Sequence, residues 1–242
     1  MTGGEGLRAS AQNDRLGNSK VGKQLIRADL HVHSCCSMDC RTPLKQIVSH
    51  CLNVGINCLA IADHNTIAGA LKLKEMAPFK VIVAEEILTC VGELMGLFLT
   101  EDIPKGLSPE ETIARIRSQG GLVGIPHPFG RSPWQNSNKL LSEKILSQVD
   151  IIEVFNSRSP FPGSSTKAWR LVKEHGLAAS AGSDAHTAGE IGRAYVEMPE
   201  FNGPDDFLSC LSQGRIFGQR SNPLVHFAST WAKIRKRIIV TE

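Results

Sequence analysis

The stretch Leu25-Ile26-Arg27-Ala28-Asp29-Leu30, running straight into His31-Val32-His33, sets how the rest of the chain reads. Leu25–Leu30 is a short apolar run of strand length. His31 and His33 alternate behind it, so both rings can face the same side. A second apolar run, Cys58–Ala62, ends on Asp63 and His64, and a third, Val81–Val83, leads to Glu85 and Glu86. Leu122–Ile125 precedes His127, Ile151–Phe155 carries Glu153 and runs into Asn156, and Leu177–Ala181 precedes Asp184 and His186. Each predicted strand thus delivers polar groups at its C-terminal end. That edge is where barrels and open α/β sheets alike build their sites.

Helix signals fill the intervals. Thr42 is placed as N-cap, with Pro43 at the first helical position, of a helix through Leu52 that Gly55 ends. Thr66–Glu75 is a second helix. Ser108, Pro109 and Glu111 carry a capping-box signature for a helix through Ser118, which Gly120 and Gly121 stop. Trp169–Glu174 and Asp205–Leu211 are further helices, the last followed by a Gly-bounded turn, while Glu93–Leu99 and Ala194–Met198 are further strands. The strands lack clean polar alternation and alternate with helices, which predicts an α/β protein whose sheet is covered on both faces. An open doubly wound sheet and a closed barrel both fit this pattern. No G-x-G-x-x-G follows the first strand and no P-loop is present, so the usual nucleotide fingerprints are missing.

A chain of 242 residues suits one domain with a sizeable core. Its 41% hydrophobic and 21% charged residues exclude a wholly disordered chain, a collagen or a long coiled coil, and no apolar run reaches the length of a membrane span. Residues 1–24, polar and Gly-rich, read as a flexible tail with no apolar signal-peptide core. Residues 25–220 read as the domain, and 221–242 as a helical, basic C-terminal extension carrying Lys233, Arg235, Lys236 and Arg237. A net charge of +3 permits an anionic ligand without arguing for nucleic acid. The cysteines number seven, an odd count, and with no export signal they fit reduced thiols in a cytoplasm. Cys35, Cys36 and Cys40 lie close together, but no CxxC pair exists.

Imidazoles and carboxylates gathered at one rim are the ligands of zinc, manganese and iron, and so many acids need divalent cations beside them. Two or three such ions would share this donor set. Asp29-Leu30-His31-Val32-His33-Ser34, Ala62-Asp63-His64-Asn65-Thr66, Ile125-Pro126-His127-Pro128 and Gly182-Ser183-Asp184-Ala185-His186, in that order, resemble the motifs of the PHP family, the polymerase and histidinol phosphatase superfamily. Its members include phosphatases, nucleotide phosphoesterases and polymerase-associated exonuclease domains. The resemblance covers Leu25 to Arg220. It implies a distorted TIM-like (β/α)7 barrel with metals at the C-terminal rim. It further implies that His31, His33, Glu86 and Asp184 hold a first ion, that Glu86 bridges to a second held by His127, and that Asp39, His64 and His186 surround a third. Asp63 and Glu85 would then orient ligands rather than bind metal.

This chain departs from the family pattern where many members carry a histidine after the bridging glutamate. Here the segment is Gly92-Glu93-Leu94-Met95-Gly96-Leu97. Anchored on Gly96-Leu97, Glu93 takes the histidine's place, and a carboxylate ligand favours a harder ion such as manganese; the alternative is a weaker or empty second metal site. The span from Glu93 to His127 leaves room for one helix, not for the inserted subdomain of some members, which predicts an open site. The expected reaction is hydrolysis of a phosphate ester of a small metabolite or nucleotide by in-line attack of a metal-activated water. Glu86, His127 and Asp184 stand at its centre, and Arg158, just past a strand end, is expected to grip phosphate in a bidentate contact. Arg131 and Arg193 are secondary candidates, while His50 and His175 read as surface or capping groups and His226 is assigned nothing. The alternatives are a nuclease acting on DNA or RNA ends, with Lys233–Arg237 beside Trp231 as part of its track, and a non-catalytic module that metals stabilise.

Overall fold

The computed structural model describes residues 24–129, 137–161 and 163–222. Short apolar segments form strands β1 (Leu25–Val32), β2 (Cys58–His64), β3 (Lys80–Leu88), β4 (Glu93–Leu97), β5 (Leu122–Ile125), β6 (Ile151–Asn156), β7 (Ala178–Gly182), β8 (Ala194–Pro199) and β9 (Arg215–Gly218). Between them lie helices α1 (Leu44–Val54), α2 (Ala68–Met76), α3 (Pro109–Ser118), α4 (Ser137–Leu140), α5 (Glu143–Leu146), α6 (Ser164–His175) and α7 (Pro204–Ser212). The expected N-terminal tail and all but the first residues of the expected basic extension, including Trp231 and Lys233 to Arg237, lie outside the described residues, as do Arg131 and His226.

The strands form one sheet in the order β7-β6-β5-β4-β3-β2-β1-β8-β9. The two halves of β1 have different neighbours. Leu25 to Ala28 pair antiparallel with β8. The other end meets the chain leaving β7: Asp184 N donates to the His31 carbonyl at 2.7 Å and His33 N donates to the Ala185 carbonyl at 3.0 Å. β1 to β7 therefore curl into a nearly closed barrel, with β8 and β9 alongside. β4 runs antiparallel to both β3 and β5, while the other pairs within the barrel are parallel. This is the distorted TIM-like barrel that the motifs imply, and the open doubly wound alternative falls.

Glycine is required at the seam. A Cβ on Gly182 would lie 2.3 Å from His31 Cβ and 2.8 Å from His31 N. Gly182→Ala is therefore expected to pry β7 from β1 and to destabilise the chain by about 1–3 kcal/mol. A wild-type thermal midpoint for this variant would refute the argument.

Strand alternation sorts the paired acids. β2 and β3 run in register, with Asp63 opposite Glu85 and His64 opposite Glu86. One row of side chains, Cys58, Ala60, Ala62, Ile82 and Ala84, packs inside the barrel with Ala28, Leu30, Met95 and Leu97. The other row, Leu59, Ile61, Val81 and Val83, packs with Ile47, Cys51, Ala70 and Leu73 of α1 and α2. Successive residues point to opposite faces, so His64 and Glu86 extend the inner row to the mouth, whereas Asp63 and Glu85 extend the outer row. Phe98, Phe201 and Phe207 join the inner core, the last two with ring centroids 4.9 Å apart and edge-on.

The helix ends mostly follow their signals. The capping box of α3 forms, with Ser108 Oγ accepting from Glu111 N at 3.2 Å, and Gly55 ends α1 in the left-handed region at φ 74°. Thr42 is not the N-cap of α1. Pro43 stands at that position without a side-chain cap, and the Thr42 hydroxyl instead donates to the His186 carbonyl at 3.0 Å. α2 starts at Ala68, two residues later than expected, because Ile67 N is drawn to Asp102 Oδ1 at 2.6 Å. α6 begins at Ser164 rather than Trp169, and the expected turn after α7 opens into β9. No helix among the described residues is long and apolar enough to cross a membrane.

Candidate metal centre

Seven of the strand ends and turns at the C-terminal rim contribute to one buried cluster. His31 Nε2 and His33 Nε2 lie 3.2 Å apart at the end of β1. Glu86 Oε2, at the end of β3, lies 3.5 Å from the first and 3.4 Å from the second, and Asp184 Oδ1 lies 3.4 Å from His33 Nε2. These four groups are the expected first-ion set. The other Glu86 oxygen, Oε1, lies 2.8 Å from His127 Nε2, and Glu93 Oε2 is 3.9 Å from the same nitrogen. Asp39 Oδ2 lies 3.2 Å from His64 Nε2 and 3.1 Å from His186 Nε2. All nine expected ligands are thus brought together. Donor atoms of His33, Asp39, His64 and His186 fall within 4.8 Å of one another, as do those of His31, His33 and Glu86, and those of His64, Glu86 and Glu93. His64 touches two of these groups, since its Nδ1 is 3.2 Å from Glu86 Oε2.

The donor set fits divalent cations. Glu86 Oε2 is buried, has three imidazole nitrogens within 3.5 Å and accepts no hydrogen bond. His186 Nδ1 is 2.8 Å from the Asp184 carbonyl, which can only accept, so Nδ1 carries the hydrogen. In the neutral ring His186 Nε2 then presents its lone pair 3.1 Å from Asp39 Oδ2, an arrangement that suits a cation between them. Burial and the neighbouring His186 push His33 down to about 3, so its ring is neutral and able to ligate. Burial works against ionisation of Glu86, but His64 and His31 outweigh it and hold the carboxyl well below the usual range.

Protons partly balance this charge in the metal-free chain. Burial opposes the charge on His64, but Glu86 and Asp39 prevail and raise it to about 9. Burial likewise opposes charge on His31, while Glu153, Glu86 and Asp184 raise it well above its ordinary value. A cation must displace such protons. For His64 the folded value is the higher one, so the proton is held near neutral pH and lost as the pH rises through about 9. Displacement of the His64 proton should therefore tighten apparent metal affinity with pH by about tenfold per unit, a contribution that ends above about 9. Manganese titrations across this range check the slope, and a flat profile would refute it.

Surrounding groups fix the ligands. Asp63, from the outer row, accepts from Ser34 N and Ser34 Oγ, both at 2.6 Å, and pins the turn after His33. Glu85 accepts from Ile103 N at 2.9 Å, and burial pushes it up to about 8. Asp29 ties β1 to the last motif by accepting from Ser183 N and Gly192 N, each at 2.9 Å. Cys40 Sγ lies 3.3 Å and 3.2 Å from the His33 and His186 carbonyls. Burial pushes this thiol up to about 11, which keeps it a donor. Two rim residues without glycine's freedom take positive φ, His127 at 28° and Asp184 at 55°.

Arg158, the expected phosphate grip, lies against the loop of the last motif. Its side chain is wholly buried, with Nε 3.7 Å from Glu190 Oε1 and Nη1 donating to the Asp184 carbonyl at 3.5 Å. Glu190 Oε2 in turn accepts from His186 N at 3.2 Å and Thr187 N at 3.0 Å. Arg158 thus braces the turn carrying Asp184 and His186. Arg193 is exposed and donates to the Gly189 carbonyl, and His175 pairs loosely with Glu143. Sequence reasoning missed Glu190 and the contacts of Glu153. Only position at a strand end hinted at the latter.

The model of the PHP domain matches residues 29–122 and that of the PHP-associated segment matches residues 162–216. An uncharacterized protein of Methanocaldococcus jannaschii is 38% identical over 196 residues, covering 77% of this chain and 79% of that protein. In fold the chain is similar to a two-domain protein from Bacteroides vulgatus containing a predicted PHP-like metal-dependent phosphoesterase, with TM-score 0.63 and 17% identity over 89% of this chain and 70% of that one. It is also similar to a lesion-specific endonuclease from Pyrococcus furiosus, with TM-score 0.59 and 16% identity over 80% of this chain and 58% of that one. Rim motifs that converge on one buried cluster, on a barrel of this kind, are thus matched by family models on both sides of the site, and the chain belongs to the PHP family.

Proposed function

We propose that the chain is a metal-dependent phosphoesterase that hydrolyses a phosphate ester of a small metabolite or nucleotide, using two or three divalent ions. The observation that carries this reading is the sharing of donors: Glu86 faces both the His31–His33 pair and His127, and His64 faces both Glu86 and Asp39. Such sharing suits adjacent ions rather than one isolated structural site. Manganese, zinc and iron all suit these ligands. When bound, the ions supply Lewis-acid polarisation of the phosphoryl oxygens and lower the pKa of the attacking water.

The chain's own residues prepare that chemistry. His31, His33 and Asp184 would hold the first ion with Glu86, which extends to His127 and Glu93 at the second, while Asp39, His64 and His186 would hold the third. Arg158 and Glu190 keep the Asp184–His186 turn in its strained form.

The structural likeness to a lesion-specific endonuclease favours one second reading, a nuclease of the same metal chemistry. Protein loaded with manganese or zinc, offered mononucleotides, bisphosphates, sugar phosphates and a labelled DNA or RNA strand, separates the two. Phosphate release from a small ester with the strand intact supports the first reading. Cleavage of the strand alone supports the second. No metal-dependent turnover on any of them would count against both.

A further inference from the structure

We infer that Glu153 is a positioning residue whose two carboxylate oxygens set two ion positions at once, so that β6 serves the metal centre without donating a ligand. The inference rests on the metal-centre reading above and deepens it. Glu153 lies outside both family matches, which end at residue 122 and resume at 162.

Glu153 is buried, the third residue of β6. Its Oε1 lies 3.2 Å from His31 Nδ1. Its Oε2 accepts from the main-chain nitrogen of His127 at 2.7 Å and from Asn156 Nδ2 at 3.1 Å. Asn156 Nδ2 also lies 3.3 Å from Asp184 Oδ2. One side chain and its amide neighbour thus reach ligands carried by three other strand ends. Both oxygens are engaged, and Glu153 belongs to none of the metal-competent groups.

The chemistry requires a carboxylate. Ionised, it only accepts, so the hydrogen that His31 keeps when an ion displaces its other proton would sit on Nδ1, leaving Nε2 free to ligate beside His33, Glu86 and Asp184. The other oxygen holds His127 at its strained φ of 28° with Nε2 turned to Glu86. Three donors converge here: His31 Nδ1–H, His127 N–H and the Asn156 amide. A glutamine of the same shape would present an NH2 to one of them. If that amide faced His31, the ring would have to accept at Nδ1 and carry its hydrogen on Nε2, where the ion belongs. If it faced His127, it would meet another N–H and release the strained turn. Either way one of the two ion positions loses its aim.

The test titrates the full chain with manganese, wild type against Glu153→Gln, following ion count and affinity by EPR. Loss of an orienting partner of this kind weakens metal binding about 10–100-fold. That loss is expected at the His31 position or at the His127 position, whichever the amide faces, with less than a threefold change at the Asp39–His64–His186 position. Wild-type affinity at both of the first positions, or a loss confined to the third, overturns the inference. A second measurement needs no variant: long-range 1H–15N spectra of the zinc-loaded wild type should show His31 protonated at Nδ1 and zinc-bound at Nε2. The reverse tautomer overturns the inference even if Glu153→Gln fails to fold. A wild-type chain that takes up no ion overturns the metal-centre reading itself, and this assignment with it.

Discussion

Glu86→Gln should remove metal-dependent turnover while leaving a folded barrel. Glu86 is fully buried and each of its oxygens meets a different part of the cluster, His127 at 2.8 Å on one side and His31, His33 and His64 within 3.5 Å on the other. Glutamine keeps the shape but removes the charge, and its NH2 must point at imidazole nitrogens on one side or the other. The two ions proposed to share this residue would lose their common ligand. A thousandfold fall in kcat/KM corresponds to about 4 kcal/mol of transition-state stabilisation, and the loss should be at least that large. Metal analysis should show the first and second ions depleted and the Asp39–His64–His186 ion retained. Circular dichroism should match wild type, because the inner row beneath Glu86, from Ala84 to Ile82, is untouched. Full metal content in this variant would refute the bridging assignment.

How much of this centre was legible beforehand follows from which forces act locally. Ligand types at strand ends are visible in sequence because each strand announces itself by its own apolar run and the polar residue falls next to it. The choice of Glu86 over Glu85 and of His64 over Asp63 follows from strand alternation, and the pairing of β2 with β3 places both choices on the same face. The barrel itself depended on family motifs, since an open sheet shares the same local pattern and only the seam between His31 and Asp184 distinguishes them. Thr42 and Arg158 show where local signals stop. Each carries a locally plausible signal, an N-cap and a phosphate grip, but each is claimed by the loop of the last motif, through the His186 and Asp184 carbonyls. Contacts with a loop 144 residues away, as for Thr42, or 26 away, as for Arg158, leave no local signature. Glu190 is the opposite case: Thr187-Ala188-Gly189-Glu190 is a local capping-box signature, and Glu190 accepts from the Thr187 and His186 amides as that signature implies.

Glu93 gives the second large effect, because it tests the one place where this chain departs from the family pattern. It opens β4 opposite Leu88 of β3, and its carboxyl is largely buried, with Oε2 3.9 Å from His127 Nε2. Donor atoms of Glu93, Glu86 and His64 fall within 4.8 Å of one another, close enough for a single ion. Without a cation, placing this carboxylate beside Glu86 adds like-charge repulsion, and an ion relieves it. We therefore propose Glu93 as a ligand of the second ion. Glu93→Gln should weaken that ion's affinity by at least about tenfold, or about 1.4 kcal/mol, with the first and third ions little changed. Glu93→His should recover binding and shift preference from manganese toward zinc, since imidazole is the softer donor. Glu85→Gln is the control. Glu85 faces the helices, accepts from Ile103 N, and burial raises it to about 8, so a neutral amide imitates its protonated form near neutral pH. Its metal content should stay at the wild-type level. Manganese affinity measured for the three variants at one pH decides the matter: wild-type binding in Glu93→Gln would remove Glu93 from the ligand set, and a loss in Glu85→Gln equal to that in Glu93→Gln would show that charge near the rim, rather than ligation, governs uptake.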